Sequence, residues 1–221
     1  MAKSDSPMPR AHAEPHRQAD RERVREDVAA LIETVRCESR TLPSSEIAPL
    51  KRLLWRFTPI REGINNEVQT LAAHYRGNAT CSEDELHLRI ARTTVALYLL
   101  DQADAMADFV ADSRNLSLVS LFRTTIDGLS EILDASYFSK DSGRIADGYF
   151  AAEAPLTACI YSCSLEPLSL RDAVRKYQPR LNADVNRMNG IDADFPNSET
   201  RHPALVFQLE DYLRKPRVAD R

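Results

Sequence analysis

The stretch from Asn115 to Phe138, NLSLVSLFRTTIDGLSEILDASYF, decides the fold that this sequence predicts. At helical spacing it places large apolar side chains on one broad face: Leu118, Val119, Leu121, Phe122, Ile126, Leu129, Ile132 and Leu133. The opposite face is polar and carries Arg123, Asp127, Glu131 and Asp134. A face that apolar has to be covered by other helices, so we expect this segment to be the central helix of a helical core.

Composition extends this prediction to the whole chain. Its 221 residues include only 6 Gly, and they show no strand-like alternation of useful length. The 12 Pro cluster near the N-terminus and between candidate helices, where proline marks helix boundaries. The sequence therefore predicts an all-α, single-domain helical bundle, with a disordered leader over residues 1–19, a helical domain over 20–215 and a flexible tail over 216–221.

Helix boundaries are indicated on both sides of the central segment. Ser82 followed by Glu85 is a capping box that opens a long helix over 83–112, and the tetrapeptide DSRN then turns the chain into the central helix. An earlier helix over 61–76 stops at a Gly-Asn pair. A charged segment from Arg17 to Arg40 carries a narrow apolar stripe, and LVFQLEDYLRK near the C-terminus predicts a short amphipathic helix.

Charge and cysteine usage narrow the classes of function. The net charge is −4, which disfavours a nucleic-acid partner but leaves room for a local basic patch. No apolar run approaches the roughly 20 residues that span a bilayer, so no membrane partner is expected. The 4 Cys have no zinc-type spacing, and no secretion segment precedes them. We therefore expect a cytoplasmic protein with reduced thiols, in which Cys159 and Cys163 are small buried hydrophobes.

The block from about Leu86 to Leu156 contains SLFRTTIDGL, then SYFSKD, then a returning segment with GYF. It resembles a group of uncharacterised bacterial all-helical proteins whose second long helix carries an L-x-R-x3-E motif, with Asp127 standing in place of the Glu. Those proteins are similar in outline to HEPN-type helical domains of prokaryotic defence systems. HEPN ribonucleases carry an Arg four to six residues before a His. Outside the leader no His of this chain has that spacing, so the nuclease motif is absent from the predicted helical domain.

Arg123, Asp127 and Glu131 follow one another at intervals of four residues on the polar face of the central helix. That spacing allows ion pairs along one helix, which predicts a solvated surface ladder. The alternative is a polar pocket between helices in which Arg123 binds an anion.

Asp101, Asp104 and Asp108 have the spacing D-x2-D-x3-D, which aligns three carboxylates over two helical turns. Hard cations such as Mg²⁺ prefer such oxygen ligands. A solvated acidic face is the simpler interpretation. The alternative is a magnesium site shared with Asp127 or Glu131 on the facing helix, and it would make the protein a metal-dependent all-α enzyme acting on a phosphorylated small molecule or nucleotide.

Taken together, these patterns favour a helical interaction or regulatory protein without catalysis of its own and without a cofactor. The resemblance implies a link to a bacterial defence or stress system. Wide apolar helix faces need cover, so we also expect self-association or a protein partner.

Overall fold

A computed structural model describes residues 13–78, 81–134, 153–168 and 170–190 of the chain. The described residues form seven α-helices and two short 3-10 turns, Ser44–Glu46 and Leu53–Phe57, with no β-strand. The all-α prediction is confirmed. The helices are α1 (Ala13–Cys37), α2 (Ile47–Arg52), α3 (Thr58–Tyr75), α4 (Glu83–Ser113), α5 (Leu116–Asp134), α6 (residues 153–162) and α7 (Leu170–Met188).

Helix α5 is the predicted central segment, and its apolar face is fully covered. All eight apolar side chains predicted for that face are buried, and Thr125 joins them. The Oγ1 atom of Thr125 lies 2.8 Å from the carbonyl oxygen of Leu121 and 3.2 Å from that of Pro155 in α6, and its single proton is shared between these two acceptors. A buried hydroxyl without a partner would be unfavourable, so this bond lets a polar side chain sit in the core.

Helix α4 is the hub of the bundle, since it packs against α2, α3, α5 and α7. It begins as predicted, with the Ser82 hydroxyl accepting a hydrogen bond from the Glu85 amide at 3.2 Å. The Glu85 carboxylate pairs with Arg89, and Arg89 also reaches Glu67 on α3 at 2.7 Å. The N-terminal end of α4 is thereby joined to α3 by an ion-pair network.

The corner between α4 and α5 is built on a left-handed residue. Arg114 has φ of 55°, a conformation that L side chains adopt rarely, and it ends α4. The Arg114 carbonyl accepts a hydrogen bond from the Leu42 amide at 2.6 Å, and the Leu116 amide donates to the Arg40 carbonyl at 3.2 Å. These bonds, with the isolated bridge between Thr41 and Asn115, attach residues 40–42 to the corner.

Helix α1 lies at the edge of the bundle and packs against α5. It begins at Ala13, four residues before the predicted start at Arg17, and residues 1–12 of the predicted leader lie outside the described residues. Over residues 22–37 no side chain is fully buried. The apolar stripe of α1 is half-buried and consists of Val24, Val28, Leu31, Ile32 and Val35.

Three further predictions concern the rest of the chain. Helix α3 begins at Thr58, three residues before the predicted start, and Pro59 lies in its first turn. Helix α7 is one continuous helix through Pro179, although the pattern of residues 167–190 in the sequence is compatible with either one or two helices. The predicted C-terminal helix and the tail over 216–221 lie outside the described residues. Among the described helices none has the length and apolar character needed to cross a membrane.

Candidate functional site

The acidic row of α4 connects three neighbouring helices. Asp101 accepts from Arg180 of α7 at 2.7 Å, and Asp108 accepts from Lys51 of α2 at 2.7 Å. Between them, both oxygens of Asp104 lie 2.8 Å from Nη2 of Arg61 on α3. Each carboxylate therefore has a cation from a different helix as its partner.

This arrangement bears directly on the predicted magnesium site. Among the residues that the structure describes, no three His, Cys, Asp or Glu side chains form a group that could hold a metal ion. Asp101, Asp104 and Asp108 therefore do not form the three-carboxylate group that the magnesium alternative requires. The physical reason is that protein cations already neutralise these carboxylates, so a metal would have to displace three ion pairs.

The polar pocket that was the alternative interpretation for α5 is not enclosed. Arg123, Asp127 and Glu131 are all exposed. Asp127 pairs with Arg56, which lies in the 3-10 turn before α3. The predicted ladder of ion pairs along α5 is therefore absent, and the Asp127–Arg56 pair instead joins α5 to the 3-10 turn. Within the described chain, Arg123 and Glu131 make no ion pair.

The cations that bind these carboxylates are not among the site residues predicted from the sequence. Lys51, Arg56 and Arg61 recur at intervals of five residues across α2, a 3-10 turn and α3. Five residues match neither a helical nor a strand repeat, so a search for periodic faces overlooks them. The 3-10 turn between α2 and α3 changes the helical phase, which brings all three onto acidic partners of α4 and α5.

A concave surface does exist, between α3, α4 and α7. This cleft has a volume of about 260 Å³. Buried side chains form its apolar floor, namely Ile64, Val68, Leu97 and Leu100. Its rim carries both signs of charge and is formed by Arg61, Asn65, Asp101, Arg180, Asp184, Arg187 and Met188.

Three thiols have neighbours that invite a chemical interpretation. The Cys81 sulfur lies 3.4 Å from Nδ1 of His74, across the turn from α3 to α4. Burial raises the pKa of the Cys81 thiol, which keeps it protonated at neutral pH and opposes a nucleophilic role. Cys159 and Cys163 are buried as predicted. Their mutual hydrogen bond, together with burial, raises the pKa of Cys159 far above its ordinary range.

The partly buried Tyr75 and the buried Tyr98 and Tyr177 are equally unsuited to proton transfer near neutral pH. Burial raises the pKa of Tyr75 and that of Tyr177 to about 12. The Tyr98 hydroxyl accepts a hydrogen bond from the Leu168 amide at 3.0 Å, so its contact is structural. The described residues thus offer polar contacts that hold helices together, rather than a group with a pKa poised for acid–base catalysis.

Comparison with protein-family models, with curated protein sequences and with solved structures gave no match to this chain.

Proposed function

We propose that this chain is a helical interaction protein without catalysis of its own, which self-associates through the part of the α1 apolar stripe that α5 leaves exposed. The observation that carries the proposal is the half-buried apolar stripe of that helix. At 25 residues α1 is about 37 Å long. Four of its stripe residues, Val24, Val28, Leu31 and Val35, are spaced by four, three and four residues, which is the spacing of a helix-pairing seam.

The charges of α1 are compatible with a second copy of the same helix. Between Ala13 and Cys37 there are five Arg and six Asp or Glu residues, interspersed along the helix. Two such helices side by side bring neither a uniformly positive nor a uniformly negative surface together. Like-charge repulsion therefore does not oppose pairing, and the stripe loses water contact when it is covered.

An exposed aromatic residue also supports an interaction role. Trp55 has 70% of its surface exposed, and the Arg52 guanidinium lies 5.8 Å from its ring centre. Tryptophan and arginine are the side chains most enriched among residues that dominate binding at protein interfaces. A large exposed ring held beside a cation is well placed to contact a protein partner.

We further place this protein in the bacterial cytoplasm, within a defence or stress system. This part of the proposal is supported by the L-x-R-x3-D motif of α5 and by the HEPN-like outline that it implies. The missing nuclease motif in the helical domain, and the ion-paired carboxylates of α4, support a role without catalysis. Regulation by binding is then the activity that remains for such a helical domain.

Light scattering on the full chain tests self-association. Val24→Lys places a charge in the stripe at a position that does not pack on the core, so it should shift the protein toward monomer. Ala29→Lys is the matched control, since Ala29 is exposed and off the stripe. A parent protein that is monomeric at micromolar concentration, or a Val24→Lys protein as associated as the parent, would contradict the proposal.

A ribonuclease assay tests the absence of catalysis. Purified protein should leave structured and single-stranded RNA intact. Cleavage that co-purifies with the parent and disappears in Arg123→Ala would contradict a purely interacting role, because a contaminating nuclease would not respond to that change.

A further inference from the structure

The cleft between α3, α4 and α7 lies where the described chain ends. Met188, the last residue of α7, lines its rim and is half exposed. Gly190 follows with φ of 66°, so the chain turns out of the helix beside the cleft. The described chain therefore ends within two residues of the cleft rim.

Two properties argue against a small molecule as the occupant. The volume of about 260 Å³ is below the roughly 300–1,000 Å³ of ordinary ligand pockets. The rim arginines are also engaged, since Arg180 pairs with Asp101 and Arg187 with Asp184 at 3.2 Å. An anionic ligand would find its cations already neutralised. A few apolar side chains on a short helix fit the size better.

The sequence after Gly190 contains a segment with those properties. At helical spacing, Leu205, Leu209, Tyr212 and Leu213 share one face of the stretch LVFQLEDYLRK. An isolated helix of that length is marginal in water, below the roughly 12–15 residues that even good helix formers need. Its apolar face therefore needs a surface to pack on.

The segment can reach the cleft and matches its rim. The fifteen steps from Gly190 to Leu205 span up to about 50 Å when extended, far more than a return to the end of α7 requires. The segment carries Glu210 and Asp211 as well as Arg214 and Lys215. Because the cleft rim carries both acidic and basic side chains, it can form ion pairs with both the acidic and the basic residues of the segment.

We propose that residues 205–213 pack their apolar face into the cleft between α3, α4 and α7 of the same chain. The cleft floor then becomes part of the core, and the two ion pairs of the rim are shielded from water. This contact is independent of self-association through α1, because it uses the helices on the other side of α4.

Hydrogen exchange of the full chain, followed by mass spectrometry, tests the proposal. Amides of 205–213 should exchange at least about tenfold more slowly than those of an unstructured peptide of the same sequence, because docking keeps them hydrogen-bonded most of the time. Leu209→Asp should abolish this protection, and Phe207→Asp, on the opposite side of the predicted helix, should leave it intact.

A second pair of variants identifies the surface. Asn65→Trp fills the mouth of the cleft and should also abolish protection of 205–213. Asn66→Trp is its neighbour on α3, exposed and outside the cleft lining, and should have no effect. Circular dichroism confirms that all four variants remain folded.

Several results would overturn the proposal. One is a parent protein whose 205–213 amides exchange freely. Another is protection that survives either Leu209→Asp or Asn65→Trp, since the segment would then use another face or another surface. Protection that appears only as the protein concentration rises would assign the contact to a second copy.

Discussion

Helices α1 and α5 pack against each other, and both carry an apolar stripe, yet they are covered to very different degrees. On α5 nine side chains are buried. On α1 the five stripe residues are half-buried, and no side chain of residues 22–37 is fully buried. Helical periodicity therefore tells which side of a helix faces the core, but the number of neighbours decides how completely that side is covered.

The largest expected effect comes from the same truncation on the two helices. Leu129→Ala removes a fully buried side chain of α5 and should lower the free energy of unfolding by about 2–5 kcal/mol. Leu31→Ala on α1 should cost about 1 kcal/mol, since only part of that side chain leaves water on folding. Urea denaturation of dilute protein measures both. Equal losses would mean that α1 is as deeply packed as α5.

Asn115 joins the two helices, so its removal should affect both. Its Oδ1 accepts from the Leu118 amide at 2.8 Å and caps α5, while its Nδ2 donates to the Val35 carbonyl of α1 at 2.9 Å. Asn115→Ala should lower the free energy of unfolding by about 0.5–2 kcal/mol through the lost cap. Asn115→Asp keeps the cap acceptor and should recover much of the loss. If Asn115→Asp does not recover stability, the loss comes from the hydrogen bond to the Val35 carbonyl of α1 and not from the helix cap.

The acidic row of α4 offers a third case, in which polar rather than apolar contacts connect helices. Asp104→Asn should lower the free energy of unfolding by about 0.2–1 kcal/mol, since the Asp104–Arg61 pair is nearly half exposed.

Millimolar Mg²⁺ should leave the melting temperature of the parent protein unchanged, because a ligand raises the melting temperature only by binding the folded state. A rise that Asp104→Asn removes would reinstate the metal-dependent alternative.

The smallest effect concerns the pH dependence of the link between α1 and α5. The Arg40 guanidinium lowers the pKa of Glu38 to about 2 from 4.5, and Ser117 of α5 donates to the same carboxylate at 3.0 Å. Because the folded-state pKa is the lower one, this stabilisation is present above about pH 4.5 and is lost as the pH falls toward 2. Glu38→Gln should therefore lose less stability than the parent over that window in thermal melts. If the stability of the parent and that of Glu38→Gln change equally with pH over this window, the stabilisation does not come from the Glu38 carboxylate.

The apolar half of the fold was predictable from the sequence. The face of α5, the Ser82 cap and the stop at Gly77 each follow from rules that involve neighbours along the chain. Burial of Cys159 and Cys163 follows from the apolar character of unpaired thiols.

The polar contacts were not predictable, because they depend on which helices become neighbours. The spacing of Asp101, Asp104 and Asp108 correctly predicts one face of α4, but it contains nothing about Arg180, Arg61 or Lys51. Acidic residues that share one helix face are compatible with either a metal site or a solvated surface. Only the positions of the cations on the neighbouring helices distinguish these two interpretations. Asp127 shows the same limit, since its partner Arg56 comes from a turn with no helical period.

The attachment of residues 40–42 to the α4–α5 corner has a consequence for the order of folding. The Thr41–Asn115 bridge joins residues 74 positions apart, so it forms only after that long loop closes. Contacts between α4 and α5 are local by comparison, and we expect them to form first. We therefore expect α1 to dock after α4 and α5 have paired, and to detach before they separate. In native-state hydrogen exchange, the amides of α1 should therefore exchange through a local opening of lower free energy. The amides of α5 should exchange only through global unfolding.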